Sequence, residues 1–147
     1  MKKVLGVVVV ALMVAGIASG AFAASVSVNA NVQAKCGAMA DGSFTAFNID
    51  PDAGIISKVT STDGTSPSVK CTKNSTINVT CPPTGTLTMA GDAGGDITFS
   101  VSCPGTYTAS GFGTADDIPV TITFAAGAAQ NSAAGVHTGS IVVTVLP

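Results

Sequence analysis

The sequence predicts an all-β protein, a sandwich or a barrel of short strands joined by turns. Strong helix formers are almost absent, since the chain has no Glu and no Arg, while Thr, Val, Ser, Gly and Ala dominate. Short alternating apolar segments recur along the chain, separated by stretches rich in Gly, Pro, Asn and Asp, which favour turns. None of these intervening stretches shows helical periodicity over a useful length.

The first residues predict an exported protein. Positive charge at Lys2 and Lys3 precedes the apolar run "VLGVVVVALMVAGIA", and "AFA" at 21–23 offers the small residues that a signal peptidase reads. We therefore expect residues 1–23 to be a signal peptide that is cleaved after Ala23. The alternative is a membrane anchor, but the apolar run is shorter than the ~20 residues of a transmembrane helix. No similar run follows, so we expect no membrane span in the mature chain.

The composition limits the partners of the mature chain. All eight acidic residues are Asp and all six basic residues are Lys. Without Lys2 and Lys3, four Lys stand against eight Asp, a formal charge of 4 − 8 = −4. So few basic residues give no patch for nucleic acid or for an anionic membrane surface. The remaining 147 − 23 = 124 residues suffice for one domain with its own core.

The predicted strands can be taken in chain order. In the first, "ASVSVNANVQAKC" (24–36), every second residue from Val26 onward is apolar, which lets one face enter a core. Further strands are expected at 43–49, 66–71, 76–81, 85–90, 96–103, 105–110, 118–125 and 138–146. Many short strands at such intervals are typical of a β-sandwich or a barrel.

The last predicted strand, "TGSIVVTVL" (138–146), is apolar on both faces. We expect such a strand inside a sheet with neighbours on both sides, because its bare backbone groups would promote aggregation at an edge. No further strand follows it in the sequence. The first strand therefore has no obvious partner, and the last one has a partner position with no strand to fill it.

The four cysteines predict disulfides rather than a metal site. Cys36, Cys71, Cys81 and Cys103 all lie in the mature part, and an even number in an exported chain indicates two disulfides, with three pairings open. A zinc site is disfavoured, because no Cys-x-x-Cys occurs and His137 is the only histidine. We expect no metal and no cofactor.

An enzyme is not indicated. A hydrolase triad would have to use His137, and no nucleophile-elbow motif occurs. The acid pairs Asp50/Asp52 and Asp116/Asp117 stand in turn contexts, where Asp is expected for its backbone hydrogen bonds. No Trp is present to stack on a sugar.

Several segments, taken together, resemble the spore coat protein U domain family, which includes subunits of archaic chaperone–usher pili. The likeness lies in the order and spacing of these segments and covers nearly the whole mature chain. They are the leader ending at Cys36, Phe47 with the following "NIDPDAG", "SVKCTKNSTINV" (68–79) and "ITFAAGAAQNSAAGVHTGSIVVTV" (122–145).

This resemblance implies an immunoglobulin-like, pilin-type sandwich over residues 36–147 that lacks one strand. A donor strand from a neighbouring subunit would complete it, and residues 24–35 would be that strand. In such pili a periplasmic chaperone first lends a strand, and an outer-membrane usher then exchanges it for the leader of the next subunit. The donor residues would be Val26, Val28, Ala30 and Val32. The acceptor groove would lie at the last strand, with Ile141, Val143 and Val145.

The resemblance also implies a disulfide Cys36–Cys71, which leaves Cys81 to pair with Cys103. We therefore expect a structural subunit of a cell-surface pilus that supports adhesion or biofilm formation. Its partners would be other pilin copies, the chaperone and the usher. The alternative is a self-contained secreted sandwich, either a coat component or a glycan- or protein-binding module, in which residues 24–36 are the first strand of their own fold.

Overall fold

The computed structural model describes residues 27–91 and 95–147. The chain divides into two units, residues 1–31 and residues 32–147. Of the first unit, residues 27–31 are described, and they are exposed and form neither helix nor strand. The predicted signal peptide with its cleavage site at Ala23, and the predicted donor residue Val26, lie outside the described residues.

The second unit is built mostly from β-strands, with almost no helix, so the all-β prediction is confirmed. Every strand pair in it is antiparallel. The strands are β1 (Ser43–Phe44), β2 (Ile56–Val59), β3 (Gly64–Thr65), β4 (Ser68–Val69), β5 (Thr76–Thr80), β6 (Thr84–Met89), β7 (Ile97–Ser102), β8 (Thr106–Thr108), β9 (Asp116–Asp117), β10 (Thr121–Phe124), β11 (His137–Thr138) and β12 (Thr144–Leu146).

The largest sheet has five strands in the order β11-β6-β7-β10-β2. In β7 and β10 buried apolar residues alternate with hydroxyl residues, which are exposed in β7 and half-buried in β10, and this is why the period-2 pattern of the sequence forms strands here. The inward side chains form a first hydrophobic cluster, in which the rings of Phe99 and Phe124 lie 5.3 Å apart. The buried members of this cluster are Ile97, Phe99, Val101, Val120, Ile122, Phe124 and Ala129.

A three-stranded sheet has the order β12-β5-β8, and β4 pairs with β9 in a separate two-stranded sheet. In β5, Ile77 and Val79 are buried while the residues between them are exposed. The inward side chains form a second hydrophobic cluster. Its buried members are Val69, Cys71, Ile77, Val79, Ala109 and Ile118.

A single helical turn, α1 (Thr60–Asp63), follows β2 and precedes β3, which pairs with β1. The sequence does not predict it. It is held by side chains: the Asp63 carboxylate accepts the Val59 N–H at 2.9 Å and binds Lys58 at 3.0 Å. Four residues cannot show helical periodicity, so hydrogen bonds of this kind decide such a turn.

The strand expected at 138–146 is instead two strands. β11 pairs with β6 in the five-stranded sheet, and β12 pairs with β5 in the three-stranded one. The chain therefore passes from one sheet to the other between Thr138 and Thr144, and no ladder can continue across that step. Residues 27–35, expected to be a strand, are not paired in a ladder and are exposed throughout.

Candidate functional site

β12 lies at the edge of the three-stranded sheet and pairs with β5 on one side only. Thr144 lies opposite Thr80, and Val145 lies opposite Val79. Within residues 27–91 and 95–147 no strand pairs with the other side of β12. Of the two neighbour positions expected for this strand, one is thus unfilled within the described residues. The free side offers N–H and C=O groups to which another strand can bind.

The predicted groove residues Ile141, Val143 and Val145 share one face, and each is half-buried. Ile141 packs against the first hydrophobic cluster and Val145 against the second. Val143 packs against both. These side chains therefore line the boundary between the two clusters, and each is only partly covered.

The opposite face of this segment is exposed. Val142 is 73% exposed and Leu146 is 58% exposed. Exposed apolar side chains of this size on a free strand edge are unusual, because such edges promote pairing with another chain. The outward face of residues 142–146 and the outer edge of β12 are thus accessible to a partner strand.

The described donor residues Val28, Ala30 and Val32 are exposed. Val28 is 84% exposed and Val32 is 77% exposed. Their alternation predicts one buried face, but in the part of the chain that the structure describes these side chains are exposed. An apolar segment that remains in water in this way is a candidate for binding to a partner.

The segment that follows the leader is paired with the chain's own fold. Cys36 lies opposite Cys71 in an antiparallel bridge, and Ala40 lies opposite Ser68. Hydrogen bonds at 2.8 Å, from Gly37 N–H to the Lys70 carbonyl and from Ala40 N–H to Ser68, support this pairing. The chain is therefore paired with its own fold from Cys36 on, whereas residues 27–32 make none of these pairing contacts.

Two disulfides are present, Cys36–Cys71 and Cys81–Cys103. The first anchors the segment after the leader to Cys71, which is fully buried in the second cluster. The second joins the residue after β5 to the residue after β7, so it links the three-stranded sheet to the five-stranded sheet. Cys81 packs against the first cluster and Cys103 against the second.

One carboxylate of each acid pair forms a hydrogen bond to the backbone. Asp50 Oδ1 accepts the Asp52 N–H at 3.0 Å, and buried Asp116 accepts the Ser110 N–H at 2.9 Å. His137 lies opposite Met89 in the five-stranded sheet. Among the described residues, no three His, Cys, Asp or Glu side chains stand close enough together to hold a metal ion.

One carboxylate has a clearly shifted pKa. The hydrogen bond from the Val59 N–H, and secondly that from Lys58, hold the pKa of Asp63 below its ordinary value of 3.8. Asp63 lies in α1 and not at β12, so its low pKa affects the stability of the fold and not the candidate site. No helix in the described part of the chain is long and apolar enough to cross a membrane.

Comparison of the chain with protein-family models, with curated proteins and with solved structures finds no match.

Proposed function

We propose that this chain is a structural subunit of an extracellular pilus, in which the leader of one copy adds as a strand to the next. The observation that carries the proposal is the state of β12. It has a free edge within the described residues, and Val143, which immediately precedes it, lies half-covered between two hydrophobic clusters. The sequence resemblance to the spore coat protein U domain family supports the same assignment.

The leader has the properties that this edge requires. Its twelve residues, 24–35, span roughly 40 Å at ~3.3 Å per residue when extended. Val28 and Val32 are exposed and lie on the same face of an extended strand. Strand addition combines main-chain hydrogen bonds with apolar side chains in alternate pockets. A strand placed beside β12 would cover the exposed flank of Val143.

Donation of a leader from each copy to the next is a head-to-tail contact. Such contacts do not close on themselves, so they generate fibres rather than dimers. The chaperone and the usher enter the proposal through the family resemblance, since a free apolar edge needs cover during export. Adhesion or biofilm formation would then be a property of the fibre.

The test uses the mature chain, residues 24–147, and two double variants of equal charge change. Val28→Asp with Val32→Asp places carboxylates on the apolar face, where burial of a charge is unfavourable. Asn29→Asp with Asn31→Asp places them on the polar face. We expect wild type and the second pair to form fibres and SDS-resistant oligomers, and the first pair to stay monomeric, by size-exclusion chromatography and electron microscopy.

A fibre from the Val28/Val32 pair as stable as that of wild type would contradict the proposal. A wild-type protein that remains a monomer under all conditions would also contradict it, and would favour the self-contained secreted sandwich. Measurement of the denaturation midpoint of each monomer separates a loss of assembly from a loss of folding. The four substituted residues are exposed, so we expect these midpoints to agree.

A further inference from the structure

Residues 36–40 pair antiparallel with residues 68–71, and this pairing ends at Lys35 and Thr72. The Thr72 N–H donates to the Lys35 carbonyl at 2.8 Å. In a regular antiparallel ladder the Lys35 N–H would donate back to the Thr72 carbonyl. It donates instead to the Thr72 side chain, Oγ1, at 3.0 Å.

The Thr72 carbonyl is engaged elsewhere, in a turn. It accepts the Ser75 N–H at 3.1 Å and the Ser75 hydroxyl at 2.6 Å. Asn74 in this turn has a φ of 60°, in the left-handed region. The partner strand therefore turns away after Thr72, and its carbonyl cannot serve the leader.

The Thr72 hydroxyl takes the place of that carbonyl. Besides accepting from Lys35, it faces the carbonyls of Gln33 and Lys35, each at 3.2 Å, and its single proton can be donated to either. These are the hydrogen bonds that hold the main chain from Gln33 onward.

We propose that Thr72 is the positioning residue that fixes where the donor strand leaves the fold. This rests on the proposed function in so far as the leader acts as a donor. The hydroxyl accepts the Lys35 N–H and lies within donating distance of the Gln33 carbonyl, and the turn at 72–75 ends the ladder, so we place the point where the donor strand leaves the fold at Gln33.

The position of this release point has a consequence for the fibre. Because Thr72 binds the main chain at Gln33 and Lys35, the donated part of the segment 24–35 ends at Val32, which is also the last predicted donor residue. No flexible linker residue then lies between the donor strand and the domain that carries it. A junction without a linker limits the rotation of successive subunits against each other.

The experiment compares wild type with Thr72→Val, which removes the hydroxyl at nearly equal volume, and Thr72→Ser, which keeps it. Thr76→Val, at an exposed position at the start of β5, four residues further along the chain and beyond the turn, is the matched control. Amide hydrogen exchange is measured by NMR on an assembly-deficient background, Val28→Asp with Val32→Asp. We expect exchange at Lys35 to be at least tenfold faster in Thr72→Val, and unchanged in Thr72→Ser and Thr76→Val.

Equal protection of Lys35 in Thr72→Val would overturn the assignment, and so would loss of protection in Thr76→Val. A global denaturation midpoint that stays constant separates local release from unfolding. The junction between subunits is then tested by electron microscopy of fibres in which each Thr72 or Thr76 variant carries the unsubstituted leader. We expect the bending persistence length to fall at least twofold in Thr72→Val and to recover in Thr72→Ser.

Faster exchange at Lys35 with fibres of unchanged stiffness would overturn the role of Thr72 at the junction. If the wild type forms no fibre, the proposed function fails, and the exchange data on Lys35 still decide by themselves whether Thr72 sets the release point. The failures of the two proposals are thus distinguishable.

Discussion

Val145 in β12 lies directly opposite Val79 in β5, yet Val79 is only 3% exposed while Val145 remains half-buried. The difference follows from their neighbours. Among the residues that the structure describes, β5 has a strand on each side, whereas β12 has one on a single side. The same hydrophobic cluster is therefore closed at β5 and open at β12.

The inward and outward residues beside β12 should respond differently to the same substitution. Val143→Thr replaces a methyl group that packs against both clusters by a hydroxyl of similar size, and should lower the free energy of unfolding by about 1–2 kcal/mol. Val142→Thr, at a position 73% exposed, should change it by less than about 0.5 kcal/mol. Urea denaturation of both variants measures this, and equal losses would contradict the assignment of faces.

The strands that the sequence predicts best are those in which alternation coincides with burial. β7 falls within the predicted segment 96–103, because each of its apolar residues enters the first cluster. The predicted strand at 138–146 fails for a different reason. Its two ends pair with partners in different sheets, β6 and β5, and local pattern carries no information on distant partners.

The candidate site, like the fold, was predictable from the sequence only in part. The shared face of Ile141, Val143 and Val145 follows from their spacing by two. The role of Thr72 leaves no signal in the sequence, because Thr is abundant and its hydroxyl acts through a turn thirty-seven residues from Lys35. Only the three-dimensional path of the strand after Cys71 reveals it.

Gly85 in β6 is required by the packing of Phe99. A Cβ at this position would meet the Phe99 ring, which is 3% exposed and stacks at a tilt on Phe124. Gly85→Ala must displace that ring from the first cluster, and should lower the free energy of unfolding by about 1–3 kcal/mol. Gly113→Ala, where the space is open, is the control and should be neutral in the same denaturation experiment. Equal stability of both variants would show that the ring can adapt.

The Cys81–Cys103 disulfide should stabilise the fold by linking its two sheets. Replacement of both cysteines by Ala removes a constraint on the unfolded chain across a sequence separation of 22 residues, and should lower the free energy of unfolding by about 2–4 kcal/mol. We expect the native fold to persist at low temperature, because β5 and β7 keep their other strand partners. Circular dichroism with denaturant titration measures both effects. A midpoint equal to that of wild type would contradict the prediction.

Asp63 should make stability depend on pH in the acid range. Its pKa is lower in the folded chain than its ordinary value of 3.8, first through the Val59 N–H and then through Lys58. The folded state therefore favours the ionised carboxyl, and this stabilisation is fully present above pH 3.8 and is lost as the pH falls through the folded pKa. Asp63→Asn should remove this part of the pH dependence.

Lys58→Met is the matched variant for Asp63, because it removes the ion pair and leaves the Val59 hydrogen bond in place. Since the backbone hydrogen bond is the larger cause of the low pKa, Lys58→Met should keep most of the pH dependence that Asp63→Asn loses. Denaturation midpoints between pH 5 and pH 2, about the range in which such a carboxylate titrates, measure the difference. If Lys58→Met abolishes the dependence as fully as Asp63→Asn, the ion pair rather than the backbone N–H lowers the pKa.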